Sequence, residues 1–176
     1  AINKLELLAE QQGSEEERMA VLGEVLALLE RLTRLNKSLL LLARIENRQF
    51  PDAQRISFAA LMREVMEELA DLAAHREVSM KLEVTGDLER SMDPVLGRIL
   101  LANLVKNAIV HNVPGGSVRA TVDAHSLTIR NTGADRPVDA TRIFGRFQKE
   151  TTADGGTGLG LAIAKAIADL NGLRIV

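Results

Sequence analysis

Apolar residues recur at spacings of three and four through the first part of the chain, at Leu22, Val25, Leu26, Leu29, Leu32, Leu39, Leu42 and Ala43. That period places them on one face of a helix. Ser14 with Glu17 three residues on forms a capping box, and Glu15, Glu16 and Glu17 put acids where the helix dipole favours them. The pattern predicts one helix from Ser14 to about Asn47, about 50 Å long at 1.5 Å per residue. Ahead of it, Ile2, Leu5, Leu8 and Ala9 read as the end of an earlier helix stopped at Gly13. The leucine stripe is longer than that partner can cover, which predicts a bundle made between chains. The alternative is a hairpin lying on the following domain of the same chain.

Phe50-Pro51-Asp52 breaks the pattern and divides the chain into a helical hairpin over 1–50 and a second domain over 51–176. In the second part, residues 55–58 read as a short strand and 59–74 as an amphipathic helix. Residues 78–84 alternate as a half-buried strand ending at Thr85-Gly86-Asp87. Asp93-Pro94 then opens a helix reaching about residue 111, apolar almost all round through Leu96, Ile99, Leu100, Leu101, Leu104, Val105, Ala108 and Ile109, and so predicted to be buried. Pro114-Gly115-Gly116 and Ala124-His125-Ser126 bracket strands over 118–122 and 127–130 as a hairpin. A short helix over 141–147, a polar loop over 148–155, a glycine-led helix to Leu170 and a last strand over 173–176 complete the chain. Helices and strands mix without strict βαβ alternation. The fold class is therefore α+β, with helices on one face of a mixed, mainly antiparallel sheet.

Composition narrows the function. With 176 residues, 46% of them hydrophobic, the chain can bury a core for one domain with a helical attachment. A net charge of −2 provides no basic field for nucleic acid or for an anionic membrane. The absence of cysteine excludes disulfides and thiolate metal sites. No apolar run approaches the roughly 20 residues that cross a bilayer. The chain reads as soluble, though it could be cut from something that is not.

Candidate chemistry lies in three places. Gly155, Gly156, Gly158 and Gly160 precede the last helix, where free φ and unpaired N–H groups suit a phosphate. Taken alone, the stretch fits an ordinary loop and helix start equally well, and it matches neither the P-loop nor the Rossmann spacing. Asn103 and Asn107 stand one turn apart on one helix face and call for partners: backbone acceptors, water, a metal or a ligand. Asn131-Thr132-Gly133, at a strand end, reads as a turn or a site.

The order of these features changes their meaning. An Asn-x-x-x-Asn helix, a strand-end polar-x-Gly, the pair Phe144 and Phe147 and a Gly-x-Gly-x-Gly loop succeed one another between Asn103 and Gly160. The chain thereby resembles the sensor histidine kinases of bacterial two-component systems, whose ATP-binding domain shares a superfamily with gyrase, the ninety-kilodalton heat-shock chaperone and the MutL repair protein. Residues 101–108 are similar to the N box, 143–147 to the F box, 156–163 to the second glycine box, and 40–46 to the end of the second helix of the dimerisation and phosphotransfer domain.

The resemblance implies ATP and Mg²⁺ as ligands and transfer of the γ-phosphoryl to a histidine, for relay to an aspartate on a response-regulator receiver domain. It also implies a homodimer through the helical hairpin and a cytoplasmic location. Asn107 would ligate the magnesium, and Asn103 would lie near the γ-phosphate. Backbone N–H groups from Gly156, Thr157, Gly158, Leu159 and Gly160 would meet phosphate. Residues 148–155 would form a lid anchored by Phe144 and Phe147, with Lys149 near phosphate. His111 would lie beside the nucleotide, and Asn131 and Gly133 at the adenine. Two positions depart from the family: Asn131 stands where aspartate is usual, and Val110 where a basic residue is frequent. Residues 1–5 are similar to the family's segment directly after the phosphate-accepting histidine, so the acceptor is expected just before residue 1 and not at His75, His111 or His125. The final strand is expected to be truncated. Two rival readings remain: a related ATPase, which would carry glutamate at the position of Asn103, and a degenerate nucleotide-binding signalling module without kinase activity.

Overall fold

The structure, a computed structural model, describes residues 15–50, 52–133, 143–145 and 157–176. Helix α1 (Glu15–Glu46) carries the leucine stripe, with Glu15, Glu16 and Glu17 in its first turn. The expected earlier helix and Ser14 lie outside the described residues. After α1 the chain turns back at Arg48, whose φ is 51°, and Phe50 lies under the Arg44 guanidinium at 4.8 Å.

Strand β1 (Gln54–Ser57) pairs antiparallel with β3 (Glu89–Met92), a strand absent from the sequence-based reading because its polar Glu-Arg-Ser-Met pattern shows no alternation. The single amphipathic helix expected over 59–74 is two helices, α2 (Phe58–Glu68) and α3 (Ala70–His75), separated at Leu69. Ser57 caps α2, its hydroxyl accepting from the Ala60 N–H at 3.0 Å. Asp87 accepts from the Ala59 N–H at 3.1 Å and from the Ser57 hydroxyl, fastening the turn before β3 to the start of α2.

The second sheet has the order β2–β4–β5, where β2 is Ser79–Val84, β4 Ser117–Val122 and β5 Leu127–Asn131. β2 and β4 run parallel, joined through β3 and helix α4 (Pro94–Val110), while β4 and β5 form the expected antiparallel hairpin. The inner side chains of β4, namely Val118, Ala120 and Val122, are fully buried against the helices. Helix α5 (Gly160–Leu170) inserts Ala164, Ile167 and Ala168 into the same core.

The last part of α1 joins this core: Leu42 and Ile45 are buried in it, and α1 packs on α5. Much of the remaining stripe is open, with Leu22, Leu26, Leu29, Leu32, Leu39 and Leu40 exposed. The expected strand over 173–176 is extended chain without a ladder. Leu173 and Ile175 face the core while Arg174 and Val176 are exposed, so the period-two pattern is present, but the described residues offer it no paired strand.

Candidate functional site

Asp93 starts α4 by accepting from the N–H groups of Val95 at 2.8 Å and Leu96 at 3.4 Å, with Pro94 in the first turn. Leu96, Leu100, Leu101, Val105, Ala108 and Ile109 form its buried face. The expectation of a helix buried all round is corrected: Asn103, Asn107 and Val110 are half-buried and Lys106 is exposed, because α2, α5 and the sheet enclose only part of its circumference. Neither asparagine is therefore a fully buried amide.

The two amides differ. Asn103 donates from Nδ2 to the Ile99 carbonyl at 2.8 Å, which turns Oδ1 toward the start of α5. A Cβ at Gly160 would stand 2.8 Å from that oxygen, so any other residue there would have to push the Asn103 amide aside. The side-chain amide of Asn107, one turn further on, has no hydrogen-bond partner among the described residues.

The turn into α5 needs glycine once more, at Gly158, whose φ is 71°. Leu159 anchors the turn with a fully buried side chain, so it can meet a ligand only through its backbone, and its N–H lies 3.4 Å from the Thr157 hydroxyl. The first bond within the helix runs from the Ile163 N–H to the Leu159 carbonyl at 2.8 Å, and no side chain caps the helix. The N–H groups of Gly160, Leu161 and Ala162 therefore stand without partners among the described residues, at the end of the helix where the dipole is positive.

At the far end of α4, His111 is exposed and its backbone N–H closes the helix on the Asn107 carbonyl at 3.0 Å. Asn131, Thr132 and Gly133, ending β5, are exposed too. Asn131 donates from Nδ2 to the Thr132 carbonyl at 3.1 Å, and its Oδ1 accepts from none of the described residues. Thr132 is tied to Asn112, its hydroxyl donating to Asn112 Oδ1 at 2.6 Å, so the hairpin end is bound to the residue next to His111. Sequence reasoning passed over Asn112, Thr132 and the need for glycine at 116. The signal available was the pair Gly115-Gly116 directly after Pro114, read only as a turn.

The structure thus brings Asn103, Thr157, Gly158, Leu159 and Gly160 together, and joins His111 to Asn131 and Gly133 through Asn112 and Thr132. Phe147, Lys149, Gly156 and the whole of the expected lid over 148–155 lie outside the described residues. Phe144 is half-buried, and Ile143-Phe144-Gly145 form a turn where a helix was expected. Among the described residues no three His, Cys, Asp or Glu side chains gather as a metal cluster. A cation here would be held by amide oxygen and by its own ligand. No helix among the described residues is long and apolar enough to cross a membrane.

Comparison with known proteins bears on the family of the chain. Residues 92–176 match the family described as Histidine kinase-, DNA gyrase B-, and HSP90-like ATPase. The sensor protein QseC of Salmonella typhi is 31% identical over 162 residues, covering 90% of this chain and 36% of QseC. The sensor histidine kinase RppB of Synechocystis sp. is 34% identical over 149 residues, covering 78% of this chain and 33% of RppB. The chain thus spans about a third of the length of these curated relatives. Among solved structures, full-length ShkA in complex with AMPPNP superposes with a TM-score of 0.71 at 25% identity, over 94% of this chain and 36% of ShkA. The Acinetobacter baumannii histidine kinase AdeS, at 22% identity, shares the fold with a TM-score of 0.69, over 96% of this chain and 81% of the AdeS chain. The sequence and fold shared with these proteins place the chain among the bacterial sensor histidine kinases, and it carries their catalytic region.

Proposed function

We propose that the face between α4, the start of α5 and the end of β5 binds ATP with Mg²⁺, and that the protein transfers the γ-phosphoryl group to a histidine for relay to a response-regulator aspartate. The observation that carries this reading is the approach of Asn103 Oδ1 to Gly160, which sets a row of amides on α4 beside a helix N-terminus with three N–H groups that have no partner among the described residues.

The donor set fits such a ligand. The N–H groups of Gly160, Leu161 and Ala162 suit phosphate oxygens. Asn107 Oδ1 suits a hard cation that keeps few protein ligands. Asn131 Oδ1 is an acceptor for an adenine amine, a neutral one where the family has a carboxylate. When bound, Mg²⁺ would neutralise charge on the phosphates. The chain's own part is positioning, as in phosphoryl transfer generally. Asn103 directs an oxygen toward the phosphate end, α5 supplies N–H groups, and the buried Leu159 keeps the turn in place. Gly156, Phe147 and Lys149 belong to the same proposal.

The AMPPNP complex of ShkA supports the nucleotide as ligand. The exposed leucines of α1 support a homodimer built from residues 1–50, with 51–176 as the catalytic domain. The proposed setting is the cytoplasm. None of His75, His111 or His125 is assigned as the acceptor, since they stand at the end of α3, the end of α4 and the β4–β5 turn.

The test is nucleotide titration with and without Mg²⁺. Wild type binds ATP more tightly with the metal. Asn107→Ala loses that gain, about tenfold or more for one ion contact, with its melting profile unchanged. Absence of saturable binding by wild type would leave the degenerate signalling module as the reading.

A further inference from the structure

Between α4 and the hairpin lies a polar clamp to which the nucleotide reading assigns nothing. The Thr132 hydroxyl spends its one proton on Asn112 Oδ1 at 2.6 Å and accepts from the Ser117 N–H at 2.7 Å. Asn112 Oδ1 also accepts from the Val113 N–H at 2.9 Å, and Asn112 Nδ2 donates to the Ser117 carbonyl at 3.0 Å. That same carbonyl accepts from the Thr132 N–H at 3.0 Å. Gly116 stands beneath the clamp, where an added Cβ would run into both Asn112 Oδ1 and Thr132 Oγ1. Three segments are thus joined by these side chains: the end of α4, the first residue of β4 and the residue after β5.

One more bond leads out of the clamp, from Asn131 Nδ2 to the Thr132 carbonyl at 3.1 Å. It decides which half of the Asn131 amide is open. With the NH₂ held by Thr132, the oxygen is presented. A carboxamide freed from that bond can turn over and present its NH₂ instead, exchanging an acceptor for a donor at almost the same place. Asn131, Thr132 and Gly133 are all exposed, so a hydrogen bond and not packing supplies this restraint, and the clamp holds the residue whose carbonyl accepts it.

We infer that Asn112 and Thr132 are positioning residues for base recognition: they hold the Asn131 amide with its oxygen outward, so that the site prefers a purine bearing an amine over one bearing a carbonyl at the same ring position. The inference rests on the nucleotide reading above and extends it from the presence of a base to the choice of base. An aspartate at position 131 would need no such device, since its two oxygens are equivalent. An asparagine does.

The experiment measures the affinities of the whole chain for MgATP and for MgGTP and reads their ratio. A loss of folded protein scales both together and leaves the ratio alone. Thr132→Val, which deletes the hydroxyl while keeping the shape, should lower the ATP-over-GTP preference by about 3–10-fold, the worth of one neutral hydrogen bond. Thr132→Ser, which keeps the hydroxyl, should retain the wild-type ratio. Asn112→Ala breaks the clamp from the other side and should lower the ratio as well, with the double variant no worse than the more affected single one. A wild-type ratio in both Thr132→Val and Asn112→Ala, or effects that add in the double variant, would overturn the inference. Wild type that binds neither nucleotide, or both alike, would overturn the base-recognition reading itself and this inference with it, an outcome visible before any variant is made.

Discussion

Replacing Gly116 by alanine tests the geometry of the clamp through stability alone. The new Cβ would stand 2.8 Å from the Val113 carbonyl oxygen and closer still to Asn112 Oδ1 and Thr132 Oγ1. Carbon–oxygen contacts are ordinarily about 3.3 Å or more, so backbone and two side chains must all give way. The methyl group therefore displaces the hydroxyl and the amide oxygen together. At least two hydrogen bonds are lost, Thr132 to Asn112 and either Val113 to Asn112 or Ser117 to Thr132. At about 0.5–1.5 kcal/mol each the loss is about 1–3 kcal/mol, and no gain of helix propensity offsets it because Gly116 lies in a turn. For a chain of this size, about 2–4 °C per kcal/mol converts that into a fall in Tm of about 2–12 °C. Gly133→Ala is the control. Among the described residues its Cβ would meet only Asn131 Nδ2 at 3.8 Å, an ordinary contact, and Gly133 does not have a left-handed backbone, so its Tm should match wild type. Thermal unfolding followed by circular dichroism reads both variants. Equal melting of Gly116→Ala and Gly133→Ala would refute the steric argument.

Two other outcomes are expected. The hydrogen bond from the Ser57 hydroxyl, helped by the Ala59 N–H and Arg63, holds the Asp87 carboxyl below the usual carboxylate range against a partial loss of solvent. Its folded pKa lies below its unfolded value of about 4, so its stabilising effect is present above that pH and lost as pH falls through the lowered folded value. Asp87→Asn should therefore melt below wild type at neutral pH and converge with it in acid, and a Tm gap that stays constant with pH would contradict this. Helix α1 exposes Leu26 and Leu29, 60% and 53% accessible, so Leu26→Glu with Leu29→Glu should weaken self-association without harming the core over 54–176. Sedimentation that gives the same mass for wild type and double variant would count against the stripe as a dimer face.

Most elements are readable from the chain because their signals are local. The Asp93-Pro94 start of α4, the acids opening α1 and the Gly115-Gly116 and 124–126 turns around β4 and β5 depend on neighbours within four residues. The elements that were misread depend on partners far away. β3 is a strand because β1 pairs with it, Gln54 opposite Met92, and its own residues show no strand pattern. Residues 173–176 alternate as a strand does but lack a ladder among the described residues, since a ladder requires a second chain segment.

The same division runs through the candidate site. Asn103, Asn107, Asn131 and the glycine turn are legible by type and order, because amides, a strand-end turn and glycines before a helix are local chemistry. Their states are not. That α4 is buried on one face only, that Asn103 Oδ1 meets the start of α5, and that Thr132 meets Asn112 are all consequences of which segments pack together. Glycine makes the distinction plain. Gly158 is required by its own backbone, with φ at 71°, which a local sequence pattern can announce. Gly160 and Gly116 are required by side chains that arrive from elsewhere, Asn103 in the first case, Asn112 and Thr132 in the second. A residue's conformational freedom is a property of its own dihedral angles, whereas the room around it is a property of everything folded against it, and only the tertiary structure holds that second quantity.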